Sequence, residues 1–322
     1  MKTMKWLLQR EFWEHKGAFF WAPIAVGIAM VLFIGGGFLY TMAFGGMENV
    51  QIDGRNVVSI QGFPPELRYK IAHILASSYM GIAAPLFIVL PVVVFFYCLS
   101  ALHDDRRDRS ILFWKSLPLS DRDTVLSKVV TALCVVPMIT IAIAVAVSLL
   151  LLVVGMISAA GKGLNLFAPV LTEPNLYLSP LYLLAFLPLY ILWALPTVGW
   201  LLMVSSWARS KVFLWAVGIP LVTIVLLKWF NFLLGQVSTT IIDLDWFVEQ
   251  VVVRGLGGLL PGIWLGEADM SVFENAERGI DPAMLLGQSY LTLATPGVWL
   301  GVAAGVAMLY VAVRLRRFRD EG

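Results

Sequence analysis

Charge is scarce in this chain of 322 residues: 14% are Asp, Glu, Lys or Arg, where a soluble domain carries about 25%. Hydrophobic residues make up 59%, and the mean hydropathy is +0.83. One globular core cannot bury that much apolar surface. The balance excludes an ordinary soluble domain and points to lipid as the solvent. Cysteine is as sparse. Cys98 and Cys134 both lie in apolar runs, which excludes a disulfide framework and leaves two small buried hydrophobes. His15, His73 and His103 are scattered over three regions, so no metal site is expected. A net charge of +2 gives no footing for nucleic acid.

Catalytic motifs are missing too. No H-E-x-x-H or G-x-S-x-G occurs, and no nucleophile stands beside a base. One stretch, Gly155 to Gly163, imitates a phosphate loop. It has five residues between Gly155 and Gly161 where the motif has four, and it ends in Gly163 where a Ser or Thr would meet magnesium. The chain is therefore not expected to hydrolyse ATP, to act as an enzyme or to hold a cofactor. Charge is nearly absent inside the apolar stretches, which argues against a proton- or sodium-driven carrier. Lys228, beside Trp229, reads as a side chain snorkelling to headgroups.

What the chain has is length of apolar sequence. A helix needs roughly 20 apolar residues to cross a bilayer. Six stretches qualify, at about 18–44, 76–102, 129–157, 181–206, 212–232 and 291–313. The expected fold is an all-α integral membrane protein forming a single transmembrane domain. The apolar run after Lys16 is too long for a signal peptide and is read as a retained first span. Lys and Arg set the orientation. The N-terminus, 103–128, 207–211 and the tail from Arg314 hold 16 of the 23. The other side holds seven, with 12 of the 21 acidic residues. Both termini are thus expected in the cytoplasm of a bacterial inner membrane, which requires an even number of spans.

Residues 4–16 precede the first span and pattern as an interfacial elbow helix. Met4, Leu7, Leu8 and Phe12 share one face, while Trp6 and Trp13 lie opposite. Lys5, Arg10 and Lys16 suit anionic headgroups. The outer region 233–290 is expected to be partly helical. Thr240–Arg254 places Ile241, Leu244, Phe247, Val248 and Val251 at helical spacing.

The segment 103–128 carries a dense charge cluster, Asp104, Asp105, Arg106, Arg107, Asp108 and Arg109. An amphipathic patch with Phe113 and Trp114 follows, then Leu117, Pro118, Leu119 and Ser120. Ser120 is a suitable N-cap, with Asp121 and Asp123 in the first turn of a new helix. On residue chemistry alone, a solvated loop anchored by positive charge accounts for the segment.

The pattern also resembles the permease subunits of ABC-2 type ABC transporters. Those have a charged cluster after the second span, a short helix, Leu-Pro-hydrophobic-Ser, a charged residue and a Lys near the start of the third. Here Arg122 and Lys128 fill the last two places. Arg109, Ser110 and Leu112 stand where the family often has Gly, Thr and an acidic residue. The layout matches along the whole chain. The resemblance implies a homodimer in lipid, each copy binding one separate cytosolic ATPase subunit, so two in all, with ATP and magnesium held there. It makes 103–128 the coupling loop, with Phe113, Trp114, Leu117, Pro118 and the six charged residues at the contact.

Three further features have two readings each. Trp193, Trp200 and Trp207 recur every seven residues in a proline-rich span, as lipid-facing packing or as an aromatic wall on a substrate path. Gly297, Gly301 and Gly305 permit close helix contact, within the chain or at a dimer seam, the former favoured. Prolines in the second and fourth spans predict kinks, which suit a conduit that opens and closes. The functions weighed are export of an amphipathic or hydrophobic substrate (peptide, antibiotic or lipid) and, as the alternative, a non-transporting assembly or sensing component with the same fold.

Overall fold

In a computed structural model, residues 2–44, 50–52, 55–57, 65–107, 120–237, 254–267 and 282–318 are described. Among the described residues, six helices are long and apolar enough to cross a membrane: Gly17–Phe44, Glu66–Arg107, Asp121–Gly161, Pro174–Trp207, Val212–Leu233 and Pro296–Arg317. The chain is a multi-pass membrane protein. Three spans are longer than their apolar stretches. The second begins near residue 66 rather than 76, the third at 121 rather than 129, and the fourth at 174 rather than 181. Hydropathy marks only the part suited to hydrocarbon, whereas backbone hydrogen bonding carries a helix on into polar sequence. The sixth begins instead at Pro296, after a 3₁₀ turn over Thr292–Ala294.

Proline accounts for four of the irregularities, though not for the π turn at Val31–Gly35. Its ring clashes with the carbonyl four residues back and supplies no N–H. The second span tightens into a 3₁₀ stretch over Tyr79–Ala83 immediately before Pro85. The first and third spans widen into π turns at Gly17–Trp21 and Thr131–Val135, just ahead of Pro23 and Pro137. The fourth span breaks at Phe186, before Pro188, into Pro174–Ala185 and Leu187–Trp207.

An N-terminal helix spans Lys2–Glu14, with Leu7 buried and Trp6 and Trp13 exposed. The third span opens as expected: Ser120 is extended and its hydroxyl accepts from Asp123 N at 3.0 Å. Beyond the helices, the described residues include one small ribbon, Val50–Ile52 paired antiparallel with Arg55–Val57. The amphipathic helix expected over Thr240–Arg254 lies almost wholly outside the described residues.

The main core joins the second, third and fourth spans through Leu90, Val94, Leu133, Leu189, Val198 and Leu201. The fourth and sixth spans pack closely because glycine lines their seam. A Cβ on Gly305 would sit 2.9 Å from Leu195 O, and one on Gly199 2.7 Å from Gly305 O. A Cβ on Gly301 would lie 3.3 Å from the Pro196 ring. Gly301 and Gly305 therefore serve contact within the chain; Gly297 is half-buried at the start of the same helix.

Candidate functional site

The helix Lys2–Glu14 carries an acid on its apolar side. Glu11 follows Leu7 by four residues and Met4 by seven, so it shares their face. It is 1% exposed, a position a carboxylate tolerates only with partners. Its Oε1 lies 3.0 Å from Lys128 Nζ, and its Oε2 accepts from Tyr97 Oη at 2.8 Å. Lys128, itself 2% exposed, sits about two turns into the third span and also lies 3.3 Å from Asp105 Oδ2.

Asp105 is the hub. It belongs to a short helix, His103–Arg107, that continues the second span after a turn at Leu102. Its carboxylate meets Arg316 at 3.1 Å and Arg10 at 3.6 Å as well as Lys128. Arg316, at the end of the sixth span, reaches Asp121 at 3.3 Å. Three cations (Arg10, Lys128, Arg316) and three anions (Glu11, Asp105, Asp121) thus form one charge-balanced cluster, with the exposed Glu14 at its edge, 3.3 Å from Arg10. It joins the N-terminal helix to the ends of the second, third and sixth spans. Mutual neutralisation lets the cluster be buried; removing one member of a buried ion pair costs about 3–5 kcal/mol.

The fourth span enters through Ser205 and Arg106. Ser205 Oγ accepts from Leu102 N and His103 N at 3.1 and 3.0 Å and donates to Leu99 O at 2.7 Å. Arg106 donates to Ser205 O and Ala208 O at 2.6 and 2.9 Å, capping the last carbonyls of that span. The first span joins by aromatic contact: Phe19 and His15 each lie 5.0 Å from the Tyr97 ring. Burial holds the His15 imidazole below its ordinary pKa, against the opposing pull of Glu11 and Glu14.

The six charged residues read as one docking surface therefore divide. Asp104 and Arg107 face outward. Asp105 and Arg106 turn inward and are engaged with the spans: a residue one helical step from an exposed one points back to the bundle. Asp108, Arg109, Phe113, Trp114, Leu117 and Pro118 lie outside the described residues. Sequence reasoning missed Glu11 and Arg316 as members of the cluster. A lone acid on the apolar face of the N-terminal helix was the available signal.

At the opposite end of the bundle a cavity of about 610 Å³ opens between the second, third and fourth spans and the segments 254–267 and 282–291. Trp193 and Trp200 do not line it. Trp193 is buried in the main core, and Trp200 donates to Ala216 O at 2.9 Å. Among the described residues, no group of three or more His, Cys, Asp or Glu is arranged to hold a metal ion. Comparison with known proteins finds no matching family model, curated sequence or solved structure.

Proposed function

We propose that the chain is the permease subunit of an ATP-driven exporter of the ABC-2 kind. In this reading it works as a homodimer in a bacterial inner membrane with both termini in the cytoplasm. Energy comes from two copies of a separate ATPase subunit, and the cargo is amphipathic or hydrophobic. The observation that carries the reading is the anchoring of His103–Arg107. This short helix opens the coupling loop 103–128, continues the second span, and is itself fixed to the third, fourth and sixth spans and the N-terminal helix by Asp105, Arg106 and the Ser205 hydroxyl. A buried ion cluster moves as a unit, because separating its members costs several kcal/mol. A displacement delivered by ATPase closure would thus reach most of the bundle at once. The 3₁₀ stretch ahead of Pro85, the π turn ahead of Pro137 and the break ahead of Pro188 are where the spans can bend in response. The exposed Asp104 and Arg107 remain as polar contacts for the ATPase, beside Phe113 and Trp114 as aromatic anchors.

The test is co-reconstitution in liposomes with the candidate ATPase subunit. The wild-type complex is expected to couple ATP hydrolysis to export, and the Arg107→Ala/Trp114→Ala variant to lose both coupling and ATPase retention. A double variant that assembles and exports like wild type would overturn the assignment of the loop.

A further inference from the structure

The cations of the N-terminal helix do not share one fate. Lys5, Arg10 and Lys16 all suit anionic headgroups by sequence. In the structure Arg10 turns to Asp105 and Glu14, and Lys16 lies over the Trp13 ring at 4.8 Å. Lys5 is exposed on another side of the helix. At about 100° per residue, Met4, Leu8 and Phe12 form one stripe of Lys2–Glu14, next to the Leu7 and Glu11 that enter the bundle. Lys5 and Gln9, both exposed, run along the outer border of that stripe.

Met4, Leu8 and Phe12 are half-buried, because they form one wall of an open groove of about 540 Å³. The facing wall holds Val135 of the third span. Val135 ends the π turn Thr131–Val135, which interrupts the regular side-chain stripe of that span just where the N-terminal helix crosses it. The N-terminal helix reaches the first span through His15 and Lys16 alone, so the groove lies at the membrane boundary. Val135 stands six residues beyond Val129, where the apolar part of the third span begins, or about 9 Å down. The groove therefore runs from headgroup level at Lys5 and Gln9 to the depth of the upper acyl carbons.

Its chemistry follows the same gradient. The deep walls are hydrocarbon, the rim carries one ammonium and one amide, and no acidic residue lines it. A peptide segment would set backbone N–H and C=O groups against an apolar wall, a cost that a lipid chain does not carry. A free phosphate would use the rim and leave the wall bare. A phospholipid uses both, with a chain along Met4, Leu8, Phe12 and Val135 and its phosphate at Lys5. An anionic headgroup suits the rim better than a zwitterionic one, whose ammonium would meet Lys5 and find no carboxylate.

We infer that this groove binds one anionic phospholipid, drawn from the leaflet on the side of the ion cluster and held beneath the N-terminal helix. Because Leu7 and Glu11 of that helix enter the bundle, a lipid seated here holds the helix against the third span and steadies the cluster. Binding here needs a membrane lipid but no ATPase, so it stands apart from the exporter reading.

The experiment uses the full chain in dodecyl maltoside micelles, without ATPase or ATP. Dioleoyl phosphatidylglycerol and dioleoyl phosphatidylcholine are titrated separately. Bound lipids are counted by native mass spectrometry, and the melting temperature is followed in parallel. One saturable phosphatidylglycerol per chain is expected, bound about three- to tenfold more tightly than phosphatidylcholine, the scale of one lysine at an anionic headgroup. The melting temperature is expected to rise over the same concentrations. Lys5→Gln, on an exposed side chain, is expected to bring phosphatidylglycerol down to the phosphatidylcholine affinity without altering the lipid-free melting temperature. Val135→Trp, which fills the groove from the facing wall, is expected to remove saturable binding of both lipids. Phosphatidylglycerol with a diazirine in its acyl chain is expected to label residues 4–12 and the third span near Val135. Equal affinity for the two lipids, an unchanged preference in Lys5→Gln, or adducts confined to other spans would overturn the proposal. So would labelling that is absent from cross-linked dimers at saturating lipid, because the groove would then belong to a second copy of the chain.

Discussion

At one end of the bundle six ionised side chains satisfy one another; at the other, Tyr190 and Trp264 line a cavity of about 610 Å³ with donors and no acceptor. Both ends bury polarity in a chain with little of it, yet the consequences differ. The ion cluster is closed: each charge meets its opposite inside the molecule, so it resists separation and ties helices together. At the other end Tyr190 Oη and Trp264 Nε1 are buried without a hydrogen-bond partner, so they tie nothing together.

The largest effect expected from breaking this contrast is at Lys128. Lys128→Met leaves Glu11 and Asp105 with less compensation in a dry site. The expected loss is about 3–5 kcal/mol, read as a lower midpoint of unfolding in detergent. A midpoint near wild type would mean that water reaches the cluster and that it holds little together. At the other end the sign reverses. Tyr190→Phe removes a hydroxyl that has no partner, so the variant is expected to match or exceed wild-type stability by up to about 1 kcal/mol. A clear loss would show that the hydroxyl is bonded in the folded protein.

The smallest effect concerns pH. Burial lowers the His15 pKa, while Glu11, Glu14 and Asp104 raise it and Lys128 lowers it further. A histidine depressed in the folded state contributes stability that is present above its ordinary value near 6.5 and lost as pH falls through the lowered folded value. Unfolding midpoints are therefore expected to drop on acidification from pH 7 to about pH 5, and His15→Gln to remove part of that drop. An identical pH profile in the variant would place the sensitivity elsewhere.

The membrane-spanning helices were legible because a run of about 20 apolar residues has one economical fate in water-free surroundings. The Ser120 cap and the close packing at Gly301 and Gly305 were legible too, since each depends on local chemistry: a hydroxyl at a helix start, or the lack of a Cβ. The ion cluster was not. Asp105 and Arg316 lie 211 residues apart, and charge that looks solvated in sequence becomes internal only when the ends of four helices converge. Asp104 and Asp105 are neighbours of identical chemistry; only helix phase sends one outward and one inward. The cavity was hidden for a related reason, because Trp264 joins it through a loop whose placement no periodicity encodes.

The account turns on that division within His103–Arg107. The most direct measurement is the affinity of the ATPase subunit for the nanodisc-embedded chain bearing Asp104→Ala and Arg107→Ala, followed alongside the melting temperature. The expected result is binding weaker by about tenfold or more with a nearly unchanged melting temperature, because these two side chains face outward and Asp104 meets its neighbour His103 in a partly exposed pair at 3.2 Å. Wild-type affinity in this variant would contradict the account.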